Sequence, residues 1–297
     1  MNIGTTGIII DQKMQLLVIK RDDTRTWAPP GGASDAGEMP TESVTREVEE
    51  ETGFKIMPVR LVGLSFIPEF GEGVLQFTFR CLLRGGEART SRESLDIGFI
   101  ATNPIKTPML DITKTRVELA LVHQGNTPHW RRVSLTRRER LAYQLLTKAF
   151  YPVKNWVGRT FQNRHYTPPP AWHVSVNLVV KHPDNAVYWL QKGEQFQLPA
   201  TDVAAGEAPW EAAERLGRTL FGHDVTLTHL NGVYNIGDSQ HMVLLFSAET
   251  PAPPQNPQLT ALANPPQQAD PLEQARVADA LDPLNELTVF KRQSAES

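Results

Sequence analysis

The sequence predicts two similar sandwich domains of the α/β (α+β) class, and three observations lead to this fold class. An internal repeat divides the 297 residues into two copies. Each copy reads as a strand hairpin, a loop, a helix ended by glycine, further strands and a closing helix. A basic segment ending in prolines separates the copies. We therefore expect a first domain at 1–128, a linker at 129–169 and a second domain at 170–297.

The repeat is clearest when the chain is shifted by 169 residues, because ten residues between positions 30 and 63 then meet identical residues. Average residue usage gives only about two such matches by chance. The matches include Pro30 with Pro199 and Gly53 with Gly222. Upstream, "GIIID" corresponds to "LVVKH" after a further slip of two residues, and downstream "TRVELAL" resembles "ARVADAL". Both copies therefore keep one loop and the ends of one helix.

Composition excludes several classes of protein. A net charge of -3, with 40% hydrophobic and 21% charged residues, is typical of a soluble globular protein. The longest apolar runs, such as "TTGIII" and "VSVNLVV", are far shorter than the roughly 18 residues of a membrane span. The sequence starts almost directly with a strand pattern, so we expect a cytoplasmic protein. The single cysteine, Cys81, forms no internal disulfide and is predicted to be buried.

The segment between the copies is strongly basic. Residues 130–166 contain nine Lys or Arg and a single acid, Glu139. Within it, "LTRRERLAYQLLTKAF" places Leu141, Leu145 and Ala149 on one stripe, which predicts a linker helix with one apolar side. We favour a brace between the domains. A surface for nucleic acid is the less favoured alternative, because no aromatic-basic recognition pattern accompanies the charge.

The helix of the first copy has clear ends. Pro40 suits the first helical position, and Glu42 lies near the positive N-terminal end. Gly53 supplies a left-handed stop, so the pattern predicts a helix from about 40 to 52.

This helix carries a crowded set of glutamates. Spacings of three and four put Glu47, Glu50 and Glu51 on one face, whereas Glu49 points elsewhere. Arg46 can neutralise one of these carboxylates and leaves the other oxygens to converge on one point. A hard divalent cation suits such a place, since Mg²⁺ prefers oxygen ligands and is often completed by substrate phosphates. The alternative is an acidic helix face that is merely solvated.

The same stretch resembles the signature of the Nudix hydrolases. In that signature a glycine is followed at fixed spacings by a glutamate, an Arg-Glu pair, a Glu-Glu pair and a final glycine. Every fixed position is occupied here, by Gly32, Glu38, Arg46, Glu47, Val48, Glu50, Glu51 and Gly53. One position departs from the pattern, because Phe54 stands where an aliphatic residue is usual.

The resemblance implies a Mg²⁺- or Mn²⁺-dependent hydrolase of a nucleoside diphosphate linked to another moiety, such as ADP-ribose, a nucleotide sugar or a nucleoside triphosphate. It also implies an αβα sandwich with a mixed sheet. Carried over by position, Glu47, Glu50 and Glu51 hold metal or serve as the base, and Arg46 orients a glutamate. Predicted substrate-binding residues are Gly31, Gly32 and Glu38 in the loop, with Trp27 and Phe70 as stacking partners of a base.

The general base is not fixed by the pattern. Besides the three helix glutamates, Glu69, Glu72 and Glu93 are candidates, although an ordinary surface acid is the favoured interpretation of each.

The second copy lacks the carboxylates, because Leu216, Thr219 and Leu220 stand at the three glutamate positions. We therefore expect a degenerate Nudix-like domain that pairs with the first, extends its pocket or binds a ligand without hydrolysing it. Pairing of two chains as a homodimer is the alternative to pairing of the two domains within one chain. Its histidines match no standard metal spacing and are predicted to be structural: His223, His229 and His241. The alternative function is a regulator that binds a nucleotide in the Nudix fold and contacts nucleic acid through the linker.

Overall fold

A computed structural model of the protein describes residues 1–91, 93–137, 140–141, 168–184, 186–237 and 239–294. The first half of the chain contains β1 (Asn2–Ile9), β2 (Gln15–Arg21), β3 (Trp27–Ala28), α1 (Pro40–Thr52), β4 (Phe54–Ile67), β5 (Val74–Gly86), β6 (Ser94–Ala101), α2 (Asp111–Val122) and β7 (His129–Arg132). The second half contains β8 (His173–Lys181), β9 (Val187–Lys192), β10 (Gln195–Gln197), β11 (Ala200–Asp202), α3 (Pro209–Phe221), β12 (Thr226–Ile236), β13 (His241–Glu249), β14 (Leu259–Leu262), α4 (Pro271–Leu281) and β15 (Val289–Gln293).

The first half is built on two small sheets. One has the strand order β1-β5-β4-β7, in which β1/β5 and β4/β7 are parallel and β4/β5 is antiparallel. The other has the order β3-β2-β6. An isolated bridge between Ile10 and Leu16 links β1 with β2.

Helices cover both faces of these sheets, because the strands alternate their apolar side chains. Leu17 of β2 belongs to the cluster that contains Val44 and Val48 of α1. Its neighbour Leu16 belongs to the opposite cluster, which contains Val117 of α2. The predicted α+β sandwich with mixed sheets is therefore confirmed.

The second half repeats this plan with one continuous sheet. Its strand order is β10-β9-β8-β13-β12-β15, with β11 on β8 and β14 on β9. The two-residue slip read from the sequence is present in the backbone. Gly7 N donates to Pro30 O at 2.9 Å, and Leu178 N donates to Pro199 O at the same distance, so β1 and β8 differ by two residues more than their loops.

The linker begins later than expected. His129–Arg132, assigned to the linker from the sequence, forms β7 because it pairs in parallel with residues 63–66 of β4. The predicted linker helix falls mainly on residues 138–139 and 142–167, which lie outside the described residues. The three-part division of the chain stays a prediction.

The two halves pack against each other through a hydrophobic cluster that contains buried residues of both. The ring centroids of Trp130 in β7 and Phe246 in β13 are 5.7 Å apart. Those of Phe290 in β15 and Phe79 in β5 are 5.4 Å apart. These two aromatic pairs are equivalent under the repeat, so the halves are related by an approximate two-fold arrangement. Across the described ranges, no helix is long and apolar enough to cross a membrane.

Candidate active site

Helix α1 begins and ends where the sequence predicts. Pro40 is its first residue, and the Glu42 carboxylate accepts a hydrogen bond from Met39 N at 2.9 Å, which caps the N-terminus. Gly53 ends the helix with φ 76°, and its N–H donates to Glu49 O. These ends fix the rotation of α1 and therefore the direction of each glutamate.

The loop before α1 runs alongside β1. Thr5 N donates to Gly32 O at 2.8 Å, and Ser34 N donates to Ile3 O at 3.0 Å. Gly31 N then donates to the Glu51 carboxylate at 2.8 Å. A Cβ on Gly32 would lie 2.5 Å from the Glu47 carboxylate. Glycine at position 32 therefore lets the backbone lie directly against Glu47, and glycine at position 31 lets it lie against Thr5 and Thr6 of β1.

Arg46 connects the loop to the helix. Its guanidinium binds Glu38 in a two-point contact, Nε to Oε1 and Nη2 to Oε2, each at 2.9 Å. Nη2 also donates to Ala33 O at 3.0 Å. Nη1 reaches Glu47 at 2.9 Å and Glu50 at 3.3 Å. Burial alone would raise the pKa of Glu38, but the hydrogen bonds from Arg46 and from Asp35 N outweigh it and lower that pKa.

Two of the three predicted metal ligands point into the protein. The Glu47 side chain is 13% exposed, and Glu51 is 5% exposed as a residue. Burial raises the pKa of Glu47 to about 6, against the opposing effect of Arg46. Burial, together with the charges of Glu47 and Glu93, raises the pKa of Glu51 to about 8. Burial is the main cause of both raised pKa values, because it disfavours the ionised form of a carboxyl group.

Glu50 lies apart from this pair. Its side chain is 61% exposed and is held by Arg46. Among the described residues, no three His, Cys, Asp or Glu side chains stand close enough together to hold a metal ion. One nitrogen of Arg46 contacts both Glu47 and Glu50, and metal binding by Glu47, Glu50 and Glu51 stays a prediction.

The donor set nevertheless fits a hard cation. All three side chains offer carboxylate oxygens, which are the ligands that Mg²⁺ and Mn²⁺ prefer. Burial beneath Gly31 and Gly32 raises the pKa of Glu47 and Glu51, so added positive charge would stabilise their ionised forms. A divalent cation bound there would supply that charge.

Two further charged residues lie near this pair, and the signature does not include them. The Ser94 hydroxyl donates to Glu51 O at 2.5 Å, which brings the start of β6, and with it Glu93, to the end of α1. Glu93 raises the pKa of both buried glutamates, and Arg21 at the end of β2 lowers that of Glu51. Glu93 was a sequence candidate, whereas Arg21 was missed because nothing in its local pattern links it to α1.

The other candidates for a base are engaged elsewhere. Glu69 accepts hydrogen bonds from Leu135 N at 3.1 Å and from Arg140 at 3.2 Å. Glu72 binds the amino group of Met1 at 3.2 Å, and its backbone oxygen accepts from Gly206 N of the second half. These contacts give both residues a role at the junction between the halves.

The aromatic candidates lie at separate places. Trp27 is half-buried in β3 and packs with the cluster that contains Leu16 and Val18, on the α2 side of the sheet. This is a core position. Phe70 is half-buried in the turn between β4 and β5, where its carbonyl accepts from Gly73 N. Base stacking by either ring stays a prediction.

The surface beside the glutamates is open to a ligand. A groove of about 710 Å³ runs along the outer side of α1, with Glu38, Arg46, Glu50 and Pro58 among the residues that line it. Its walls are mainly side chains of α1, and its charged groups are four glutamates and one arginine.

The second half keeps the scaffold of this site without its carboxylates. Arg215 binds Glu207 in the same two-point contact, at 2.8 and 3.0 Å, and Gly222 ends α3 with φ 78°. Leu216, at the position of Glu47, is buried.

The remaining predicted structural residues are buried or paired. Cys81 is buried, and burial raises the pKa of its thiol to about 12, which leaves it unreactive. The three histidines of the second half each bond a hydroxyl group, with these pairs: His223 with Thr250, His229 with Thr127 and His241 with Ser175.

Comparison with known proteins identifies the family. The model of the NUDIX domain matches residues 2–101. A MutT-like protein of Streptomyces ambofaciens is 32% identical over 130 residues, which are 44% of this chain and 82% of that protein. A putative 8-oxo-dGTP diphosphatase of Bacillus subtilis (strain 168) is 34% identical over 85 residues, covering 29% of this chain and 56% of that protein. The 8-oxo-dGDP phosphatase NUDT18 of Mus musculus is 32% identical over 110 residues, which cover 35% of this chain and 33% of that protein.

Part of the chain is also similar to solved structures. The mMutator MutT protein from Bacillus halodurans is 25% identical and superimposes with a TM-score of 0.41, over 47% of this chain and 93% of that one. The matched part of this chain contains the loop, α1 and every position of the signature. The protein is a member of the Nudix hydrolase family.

Proposed function

We propose that the first half is a divalent-cation-dependent pyrophosphohydrolase that cleaves the diphosphate of a nucleoside diphosphate linked to another group. The observation that carries this proposal is the buried pair Glu47 and Glu51 beneath Gly31 and Gly32, in which Arg46 holds Glu47 and Gly31 N holds Glu51. Glu47, Glu50 and Glu51 are the residues that would hold Mg²⁺ or Mn²⁺. When bound, the cation supplies positive charge that neutralises diphosphate oxygens and acidifies water.

The protein's own groups supply the remaining requirements. Glycine at 31 and 32 lets the loop pack closely against β1 and the Glu47 carboxylate, and Arg46 holds Glu38 and Glu47 in fixed positions. A carboxylate oxygen of an α1 glutamate, or of Glu93 beside them, would accept the proton from the attacking water. Arg21, whose charge acts on Glu51, would attract the substrate's phosphates to this side.

The names of similar proteins suggest which substrates to test first. Relatives are named for 8-oxo-dGTP and 8-oxo-dGDP, and similar solved structures are named an ADP-ribose pyrophosphatase and a UDP-X diphosphatase. We propose a nucleotide of one of these chemical types. The regulator alternative depends on the basic linker, which lies mostly outside the described residues, so we do not propose it.

The test is a substrate panel with the full chain: 8-oxo-dGTP, 8-oxo-dGDP, ADP-ribose and a UDP-sugar, each with Mg²⁺ and with a chelator. We expect cleavage of at least one compound only when metal is present, measured by chromatography of the nucleotide products. Glu50→Gln and Glu51→Gln should each lower kcat by about a hundredfold or more.

Glu118→Gln is the matched control, since it removes one exposed helix carboxylate on α2. It should leave kcat unchanged. Unchanged turnover in both Glu50→Gln and Glu51→Gln would refute the assigned site.

A further inference from the structure

The two halves hold each other's loops through different residues. Arg132 of β7 crosses to the second half, where it binds the Glu211 carboxylate at 2.8 and 3.0 Å and donates to Gly206 O at 2.9 Å. Glu211 caps α3 and Gly206 lies in its loop, so this single arginine fixes the loop–helix of the degenerate half.

The loop of the first half is held by two residues instead. Arg292 of β15 is equivalent to Arg132 and binds Glu42, the residue that caps α1. Asn235 of β12 donates from Nδ2 to Gly37 O at 3.3 Å and to Glu38 O at 3.2 Å. Asn235 is fully buried, so its side chain has little freedom to leave these contacts.

Asn235 has no amide counterpart on the other side. The repeat places Phe66 at its position in the first half, and Arg132 packs over the Phe66 ring at 5.4 Å. The loop of the first half, which keeps the glutamates, therefore accepts two hydrogen bonds from a side-chain amide, and Phe66 cannot donate equivalent bonds to the loop of the second half.

The hydrogen bonds from Asn235 hold the backbone of Glu38, which in turn positions Arg46. Glu38 holds Arg46 through its carboxylate while Asn235 holds the Glu38 backbone, and Arg46 in turn contacts Glu47 and Glu50. A small displacement of the loop would therefore be passed to the glutamates that the reaction needs. Errors of about 1 Å in such a group cost large factors in rate.

We propose that the degenerate half serves as a brace for the active loop, with Asn235 and Arg292 as positioning residues for catalysis. The inference rests on the proposed function of the first half. It assigns the second half a task that needs no carboxylates of its own and explains why its β12 and β15 lie against the loop of the first.

The kinetic test compares both sides of the arrangement in the full chain. Asn235→Asp keeps the shape and removes the donor, so kcat should fall about tenfold with KM within about twofold. Arg292→Ala should lower kcat in the same direction, and Arg292→Lys should restore most of it. Arg132→Ala removes three comparable hydrogen bonds on the degenerate side and should leave kcat unchanged while lowering Tm.

A second readout does not depend on activity. Asp35 N and Met39 N are protected by the carboxylates of Glu38 and Glu42, so hydrogen exchange of residues 35–39 reports whether the loop is held. Exchange should become about tenfold faster in Asn235→Asp and in Arg292→Ala, and it should not change in Arg132→Ala.

The outcomes separate the two claims. A wild-type chain that cleaves no compound in the panel refutes the proposed function, and exchange then decides alone whether Asn235 and Arg292 hold the loop. If the wild type is active, wild-type kcat in both the Asn235 and the Arg292 variants overturns the brace. An equal loss of kcat in Arg132→Ala also overturns it, because the effect would then be general destabilisation. Arg292 is half exposed, so its variant keeps the test valid if the buried Asn235 variant fails to fold.

Discussion

The loop–helix segments at 30–53 and 199–222 share a backbone conformation, but they differ in the polarity of the side chains on the inner face of the helix. In both, a proline starts the helix, a glutamate caps it and a glycine in the left-handed region ends it. In both, an arginine grips a loop glutamate at two points. The difference is that carboxylates point inward in the first segment and leucines occupy those positions in the second. The helix caps and the arginine–glutamate contact therefore stabilise the fold of both segments, whereas the inward glutamates serve the proposed reaction of the first.

The comparison also shows what the chemistry costs. Leu216 buries an apolar side chain, whereas Glu47 at the equivalent position buries a carboxylate whose pKa is raised to about 6 by that burial. A buried acid without a full set of partners is unfavourable. The first half retains this arrangement at its site, and the second half has replaced it with ordinary core packing.

The sharpest way to separate folding from chemistry is to remove each arginine in turn. Arg46→Ala should lower kcat by about a hundredfold, because Glu38, Glu47 and Glu50 lose their common partner. Arg215→Ala should leave kcat unchanged. Both should lower the free energy of unfolding by roughly 1–2 kcal/mol, with the smaller effect at the more exposed Arg215. Steady-state kinetics and urea unfolding measure the two quantities, and an equal loss of activity in both variants would contradict the separation.

A smaller effect is expected at the position where the loops differ in size. Gly32 lies against Glu47, and its counterpart in the second half is Thr201. The methyl group of Gly32→Ala should push the Glu47 carboxylate aside and lower kcat about tenfold, while changing stability by less than about 1 kcal/mol. Thr201→Ala is the control and should change neither quantity. A wild-type kcat in Gly32→Ala would show that turnover does not depend on the exact position of the Glu47 carboxylate.

The smallest effect concerns equivalent positions at the junction. Arg60 of the first half donates to Gly125 O, whereas His229 of the second half bonds Thr127 across the junction. Burial, with the nearby Lys181, lowers the pKa of His229 below its ordinary 6.5. The unfolded chain therefore binds more protons than the folded one as pH falls below about 6.5, and the free energy of unfolding decreases there.

His229→Gln removes this titration. Urea unfolding between about pH 7.5 and pH 5.5 should show a shallower loss of stability for His229→Gln than for the wild type. Identical pH dependence in the two proteins would contradict the assignment.

The sequence predicted best what depends on local chemistry. Helix α1 lies at Pro40–Thr52, as expected, because a proline and a glycine define its ends without help from the rest of the chain. The two-residue slip between the copies was also readable, since apolar strand residues keep their register. β7 was assigned to the linker because "HWRR" is short and basic, and only its pairing with β4 makes it a strand.

Long-range placement could not be read from spacing. Helix periodicity puts three glutamates on one face, but it does not show that Arg46 holds Glu50 outward. The approach of Arg21 and Glu93 to α1 depends on how β2 and β6 meet the helix. Asn235 contacts residues almost two hundred positions earlier in the chain, so no local pattern could connect them.

The position of Arg292 in the chain has a consequence for biosynthesis. It lies 250 residues after Glu42, in the last strand of the described fold. A ribosome therefore completes the glutamate helix long before it makes the residue that contacts the helix cap, and domains tend to fold as they emerge. The first half therefore lacks the Arg292 contact until the final strand has been synthesised. A premature stop shortly before residue 289 would release a chain that has every acidic residue of the site and none of β15.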